Sequence, residues 1–195
     1  MGNDTITKTL IVAGLLSIIC SVIVSSAAVF LKSNQVKNKD LDRKKNILMA
    51  AGLLEEDKSI EELFAKFDTR IVDLSTGEYS DALDAATFDQ RKAAKSEEYG
   101  IAIAKNHDLG GNKKRSKYAL VYIASDENGD LQQLILPVHG KGLWSTLYGF
   151  LALDADMTTI NGFAFYEHGE TPGLGGEVDN PLWKAQWVGK KAFDE

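Results

Sequence analysis

The chain has 195 residues, enough for one domain of ordinary size plus an appendage, and its 44% hydrophobic content is enough to build a core. Its net charge of −6 is unevenly spread: residues 1–45 carry seven Lys/Arg against three Asp, a net +4, which leaves −10 on residues 46–195. An acidic body argues against a nucleic-acid binder, and a single cysteine, Cys20, excludes an intrachain disulfide or a thiolate cluster built from this chain alone.

From Thr9 to Leu31 no charged residue interrupts 23 positions dominated by Ile, Val, Leu and Ala. A helix of that length rises ~35 Å, enough to cross a bilayer. It reads as one transmembrane helix over residues 9–31, with residues 1–8 as its N-terminal flank. Lys8 before the run and Ser25-Ser26-Ala27-Ala28 near its end also fit a cleaved secretory signal, but the apolar core of a signal is usually only ~7–15 residues. A retained anchor is therefore the expectation. Lys32, Lys37, Lys39, Arg43, Lys44 and Lys45 follow the span, so the positive-inside rule would leave the C-terminal domain in the cytoplasm. A signal-like N-terminus points the other way.

Residues 32–57 form a membrane-proximal segment, with a helix expected from Asn34 to Ala51 that ends near Gly52. A soluble domain follows over residues 58–195. Ser59 and Glu62 make a capping-box pair, and Ile60, Leu63, Phe64 and Phe67 fall at i, i+3, i+4 and i+7 of an amphipathic helix. Thr87 and Gln90 make a second capping pair, opening a helical segment to about Glu98. From Tyr118 the pattern turns to strands. Tyr118 to Ala124 and Leu131 to Val138 flank an Asn128-Gly129 turn signal, and Leu147 to Leu153 and Ile160 to Tyr166 flank a turn at Asp154 to Thr159. Pro181 at the first helical position starts a short helix through Trp187. The fold class is α+β: a single N-terminal transmembrane helix followed by an antiparallel sheet with flanking helices.

Two glycine-bearing loops lie at strand ends. Glu170-Thr171-Pro172-Gly173-Leu174-Gly175-Gly176-Glu177 is a shaped loop, since Pro172 fixes its own φ and the glycines reach conformations closed to other residues. Gly140-Lys141-Gly142-Leu143-Trp144-Ser145 joins two strands. Together they can close on a flat, polar-edged ligand, with Leu143, Trp144 and Leu174 as apolar walls and Ser145 and Thr171 as hydroxyl donors. Equally, Trp144, Trp183 and Trp187 can be core aromatics and the glycines mere turns.

Other motifs lead nowhere. Gly173-Leu174-Gly175 starts like a dinucleotide fingerprint, but position 178 is Val and no βαβ unit surrounds it. The His139 to Gly142 run lacks the spacing and hydroxyl of a nucleoside-triphosphate loop. His107, His139 and His168 are far apart, and His168 with Glu170 reads as solvated loop rather than metal site. The basic run Lys113-Lys114-Arg115, with Lys117, also reads as a solvated loop. No residue has the setting of a catalytic acid, base or nucleophile.

Three runs occur in order: Leu136-Pro137-Val138-His139-Gly140-Lys141-Gly142-Leu143-Trp144-Ser145, then Tyr166 through Glu177, then Trp187-Val188-Gly189-Lys190-Lys191. With them and with Asp89 through Lys95, nearly the whole chain resembles the C subunit of the bacterial sodium-translocating NADH:quinone reductase. The resemblance implies a single-span member of a multi-subunit inner-membrane complex that oxidises NADH, reduces ubiquinone and exports sodium. It implies a periplasmic domain carrying FMN, joined through its phosphate to a threonine of a Ser-Gly-Ala-Thr motif by a separate transferase. It also implies that Leu143, Trp144 and Ser145 border the flavin on one side and Glu170, Thr171, Leu174 and Gly175 on the other. This sequence contains no Ser-Gly-Ala-Thr; the family's motif lies beyond the segment matching Gly189 to Glu195, so the soluble domain is expected to be incomplete at its C-terminal end. The competing expectation is an anchored assembly module that holds partner subunits without carrying electrons.

Overall fold

A computed structural model describes residues 6–126 and 128–193, so the start of the flank expected over 1–8 lies outside the described residues. The chain divides into two compact units after Asp42. Helix α1 runs unbroken from Ile6 to Ala51. The helix expected over Asn34 to Ala51 is formed as the continuation of the apolar one, because no glycine or proline interrupts the residues after Leu31. The apolar part of α1 is long enough to cross a membrane and none of it is buried within the protein. Gly52, at φ 67°, ends the helix, and Leu53 N–H donates to Leu48 O at 2.9 Å to close the last turn.

The second unit opens with α2 (Ile60–Phe64), capped as expected by Ser59, whose hydroxyl accepts from Glu62 N–H at 3.3 Å. The helix is shorter than its apolar spacing suggests. Phe67 instead begins strand β1 (Phe67–Asp73), where it still stacks on Phe64 with ring centroids 5.4 Å apart. Seven residues of β1 pair with β5 (Tyr118–Ser125), and that long-range pairing overrides a local helical pattern. After β2 (Glu78–Tyr79) comes α3 (Gln90–Lys95). Its cap is Asp89, which accepts from Arg91 N–H and Lys92 N–H, and not Thr87, whose hydroxyl turns back to Asp84. Gln90 has a different task, accepting from Leu120 N–H at 3.0 Å and so fixing α3 to β5.

Strands β3 (Gly100–Ala102) and β4 (Lys114–Ser116) pair as a small separate ribbon, so Lys114 and Arg115 belong to a strand rather than to the expected loop. The main sheet is antiparallel, in the order β2-β1-β5-β6-β7-β8, with β6 (Leu131–Lys141), β7 (Thr146–Asp154) and β8 (Ile160–Glu167) completing the expected meander. Its strands extend past their expected ends, which brings β6 up to the first glycine loop. One face carries Ile71, Tyr122, Ile135 and Phe150 against Ile47, Ala50 and Ala51 near the end of α1. Full burial of a side chain such as Phe150 contributes about 2–3 kcal/mol. Gly162 permits this packing, because a Cβ there would meet the Ala50 carbonyl at 2.0 Å. Phe163 and Phe165, on the opposite face by strand alternation, join Trp183 and Trp187 in an aromatic cluster with centroids 4.8–6.2 Å apart. Trp183 lies on α4 (Pro181–Ala185), which is capped by Asn180 and carries Pro181 at its first position; the helix ends before Trp187.

Candidate functional site

The two glycine loops meet at the end of the β6–β8 meander. The first is a tight turn closed by Gly142 N–H donating to Ser145 O at 2.7 Å. The second, after Glu167, keeps its loop form to Leu174 and then winds into a 3-10 turn over Gly175–Asp179. Glu170 fastens one to the other: its Oε1 accepts from Trp144 N–H at 3.1 Å and from Ser145 N–H at 3.2 Å. Ser145 Oγ in turn accepts from Gly169 N–H at 2.6 Å. A Cβ at Gly142 would crowd the tips of the Glu170 and Leu147 side chains, so a larger residue there would push the carboxylate away from its two N–H donors.

His168 secures the second loop from behind. Its Nδ1 accepts from Glu170 N–H at 3.2 Å, so in the neutral ring the proton sits on Nε2, which donates to Asp179 Oδ2 at 2.7 Å. The imidazole is only 14% exposed, so it is an organiser of the loop rather than the solvated histidine its sequence setting suggests. Lys184 Nζ approaches Asp179 from the other side at 3.5 Å.

The polar atoms are thus turned inward onto backbone, while the apolar side chains point out. Leu143 is 81% exposed, Trp144 71% and Leu174 73%. Trp144 is therefore no core aromatic, unlike half-buried Trp183 and Trp187. The structure brings all seven candidate residues, Leu143, Trp144, Ser145, Glu170, Thr171, Leu174 and Gly175, onto these two joined loops, but it divides their work. Glu170 and Ser145 hold the loops together, and Gly175 packs under Glu170, where a Cβ would sit 3.1 Å from the carboxylate. Thr171 is exposed, and its carbonyl accepts from Leu174 N–H and Gly176 N–H. Its hydroxyl makes no hydrogen bond among the described residues.

Arg91 carries no local signal in the sequence yet supports the site from beneath. Its guanidinium lies 3.3 Å from the Tyr148 ring centroid, donates to Tyr166 OH at 2.8 Å and pairs with Glu167 Oε2 at 2.8 Å. Tyr166 and Glu167 are the residues from which the second loop departs. Burial pushes the Tyr166 phenol up, against the opposing pull of Arg91. Burial pushes His139 down, helped by the Arg91 charge, and its ring stacks on Tyr148 at 5.7 Å. The signal that could have exposed this cluster is a charged residue on a helix beside a strand end rich in tyrosine, and only the three-dimensional pairing makes it specific.

Residues 142–195 match the family described as the FMN-binding domain, and the match begins at the first glycine loop and takes in the second. Over 194 residues the chain is 49% identical to the C subunit of the Na+-translocating NADH-quinone reductase of Haemophilus ducreyi, covering 99% of this chain and 75% of that protein. The Pseudomonas aeruginosa counterpart is 50% identical over 197 residues, with the same coverage. The chain belongs to the NqrC family, the C subunits of Na+-translocating NADH-quinone reductases. Two crystal structures agree with that assignment. NqrC of Shewanella oneidensis matches with a TM-score of 0.74 at 36% identity, covering 81% of this chain and 73% of its own. The Parabacteroides distasonis protein of the same name matches with a TM-score of 0.64 at 30% identity, covering 84% and 71%. The NqrC fold is thus the one built here, an apolar N-terminal helix and an antiparallel sheet with flanking helices.

Proposed function

We propose that the chain is the FMN-carrying electron-transfer subunit of a membrane-bound Na+-translocating NADH:ubiquinone reductase complex. The observation that carries the reading is the pair of joined loops inside the FMN-binding match, which turn Leu143, Trp144 and Leu174 outward on a rigid base. These residues suit a flavin. An exposed indole and two leucines offer flat apolar surface to a tricyclic ring, and the Thr171 hydroxyl and the Ser145 O–H remain able to donate to its polar edge. The donors of Trp144 and Ser145 backbone are already used by Glu170, so this carboxylate positions the loop and the side chains make the contacts. When bound, the flavin supplies the redox chemistry, taking up and releasing electrons one or two at a time. The chain's own part is to bind and orient the ring, keep water from its apolar faces and hold the surrounding dipoles still.

Covalent attachment belongs to this proposal: the phosphate is joined to a threonine of a Ser-Gly-Ala-Thr motif C-terminal to Glu195, outside this sequence. Helix α1 anchors the protein in the bacterial inner membrane, and the domain faces the periplasm beside the other subunits of the complex. The native gene product, expressed with its flavin transferase, is expected to run as a fluorescent flavin band on a denaturing gel. A dark band removes covalent attachment, and a native complex in which this protein holds no flavin in any form overturns the redox reading. A reporter fused at Glu195 tests the topology, with a cytoplasmic signal contradicting it.

A further inference from the structure

Beside the first glycine loop lies a basic segment of an otherwise acidic domain. Between residues 103 and 115 the chain carries Lys105, Lys113, Lys114 and Arg115 against Asp108 alone, while residues 46–195 as a whole carry −10. The segment is a closed loop running into strand β4, with Ile103 N–H donating to Lys113 O at 2.9 Å. Its single carboxylate is spent internally, since Asp108 accepts from Asn112 N–H at 2.8 Å and Lys113 N–H at 2.7 Å. That turn holds Lys113 at φ 64°, a conformation side chains seldom adopt. Among the described residues Lys105, Lys113, Lys114 and Lys141 form no ion pair, and all four are exposed. At the tip, Leu109 is 96% exposed.

The loop is also fixed to the site. Lys141 N–H donates to Gly110 O at 2.6 Å, and Asn112 Nδ2 donates to His139 O at 3.2 Å. Lys141 ends β6, and the next residue, Gly142, opens the turn that carries Leu143 and Trp144. A rigid loop with unpaired cations, a projecting leucine and a backbone bonded to the strand leading into the candidate flavin turn has the form of a recognition element. Complementary charge steers association and fixes orientation.

We infer that the loop over residues 103–115, with Lys141, is the docking surface by which this protein engages an acidic patch on another subunit of the complex, next to its flavin loops. The inference rests on the electron-transfer reading, since a carrier must present its cofactor to a partner at a fixed orientation. A protein partner suits the surface better than a lipid one, because the loop itself offers only Leu109 as an exposed large apolar side chain, too little to insert in a bilayer.

The test places the photo-cross-linker p-benzoylphenylalanine at position 109 of the full-length protein, in native membranes holding the assembled complex. Irradiation is expected to join this chain to another subunit of the same complex, at a peptide rich in Asp and Glu. The double reversal Lys113→Glu/Lys114→Glu is expected to lower that yield roughly tenfold at low salt, and raising the salt is expected to lower the yield of the unreversed chain. Cross-linking to lipid, to a second copy of this chain or to no subunit overturns the docking surface, as does a yield unchanged by charge reversal. In-gel flavin fluorescence on the same samples keeps the two readings apart. A flavin-free chain that still cross-links supports the docking surface and refutes the redox role, whereas a flavin-loaded chain that does not refutes the docking surface alone.

Discussion

At the β6–β8 end of the sheet, two neighbouring corners treat charge and apolar surface in opposite ways. In one, Arg91 is drawn inward, over the Tyr148 ring and onto Tyr166 and Glu167, among aromatic side chains. In the other, leucines and a tryptophan stand in solvent while Glu170, Ser145 and His168 turn their polar atoms onto backbone. Each arrangement runs against the usual preference of its side chains. The contrast separates two kinds of work, since the inward charge positions a strand end and the outward apolar groups are left to meet something else. Substitutions should sort accordingly, with the Arg91 corner losing stability and the exposed side chains losing ligand.

The largest effect should come from Arg91→Ala, which leaves Glu167 and the half-buried Tyr166 phenol without their partner. We expect a loss of about 2–3 kcal/mol, below the range for a fully buried pair because this one is partly exposed. Denaturant unfolding of the full chain in detergent, followed by tryptophan fluorescence, reads it. Arg91→Lys keeps the charge but not the planar fork, so it should recover less than half of the loss. Full recovery would mean that the charge alone matters. Glu170→Ala comes next, removing the acceptor for two N–H groups and costing about 1–2 kcal/mol, whereas Glu170→Gln keeps a carbonyl acceptor and should cost under about 0.5. Equal losses for both variants would show that the joint between the loops depends on ionised oxygen.

What could be read in the sequence follows the same division. The meander from Tyr118 to Glu167 was legible because alternation and turn residues are local signals, and so was the long apolar helix. Strand β1 was not, because Phe-Asp-Thr-Arg-Ile-Val-Asp has no clean alternation and takes its form from seven pairings with β5. The capping pair at Ser59 marked a helix start correctly but could not show that Phe67 stacks on Phe64 from a strand. At the site, both glycine loops stood out as shaped backbone. The roles of Glu170, His168 and Arg91 did not, since each is defined by a partner: Glu170 reaches back 26 residues to Trp144, and Arg91 reaches Glu167 across 76.

A smaller effect separates the corners by pH. His139 is held below its ordinary pKa by burial and by the neighbouring Arg91 charge. The unfolded chain therefore binds this proton more readily than the folded one. Stability from this group is complete above the unfolded value of about 6.5 and falls as pH drops from there toward the depressed folded value. Comparing wild type with His139→Phe between pH 7.5 and 5 isolates the term, and the variant should show the shallower loss. An identical slope would mean that His139 titrates normally.

The smallest effect on stability should come from the side chains of greatest proposed importance. Trp144→Ala and Leu174→Ala remove groups that are 71% and 73% exposed, so little burial is lost and each should change unfolding free energy by no more than about 0.5 kcal/mol. If the loops hold a flavin, the same variants should lose occupancy or shift its midpoint potential in a redox titration of the intact complex, because the ring loses its apolar cover. Arg91→Lys supplies the opposite control, a scaffold change that lowers stability while leaving both apolar walls in place. Were Trp144→Ala to destabilise the chain as much as Glu170→Ala while leaving flavin content and potential untouched, the indole would be a structural group after all. The outward-facing corner would then have no claim to the cofactor, and the division between inward charge and outward apolar surface would describe packing alone.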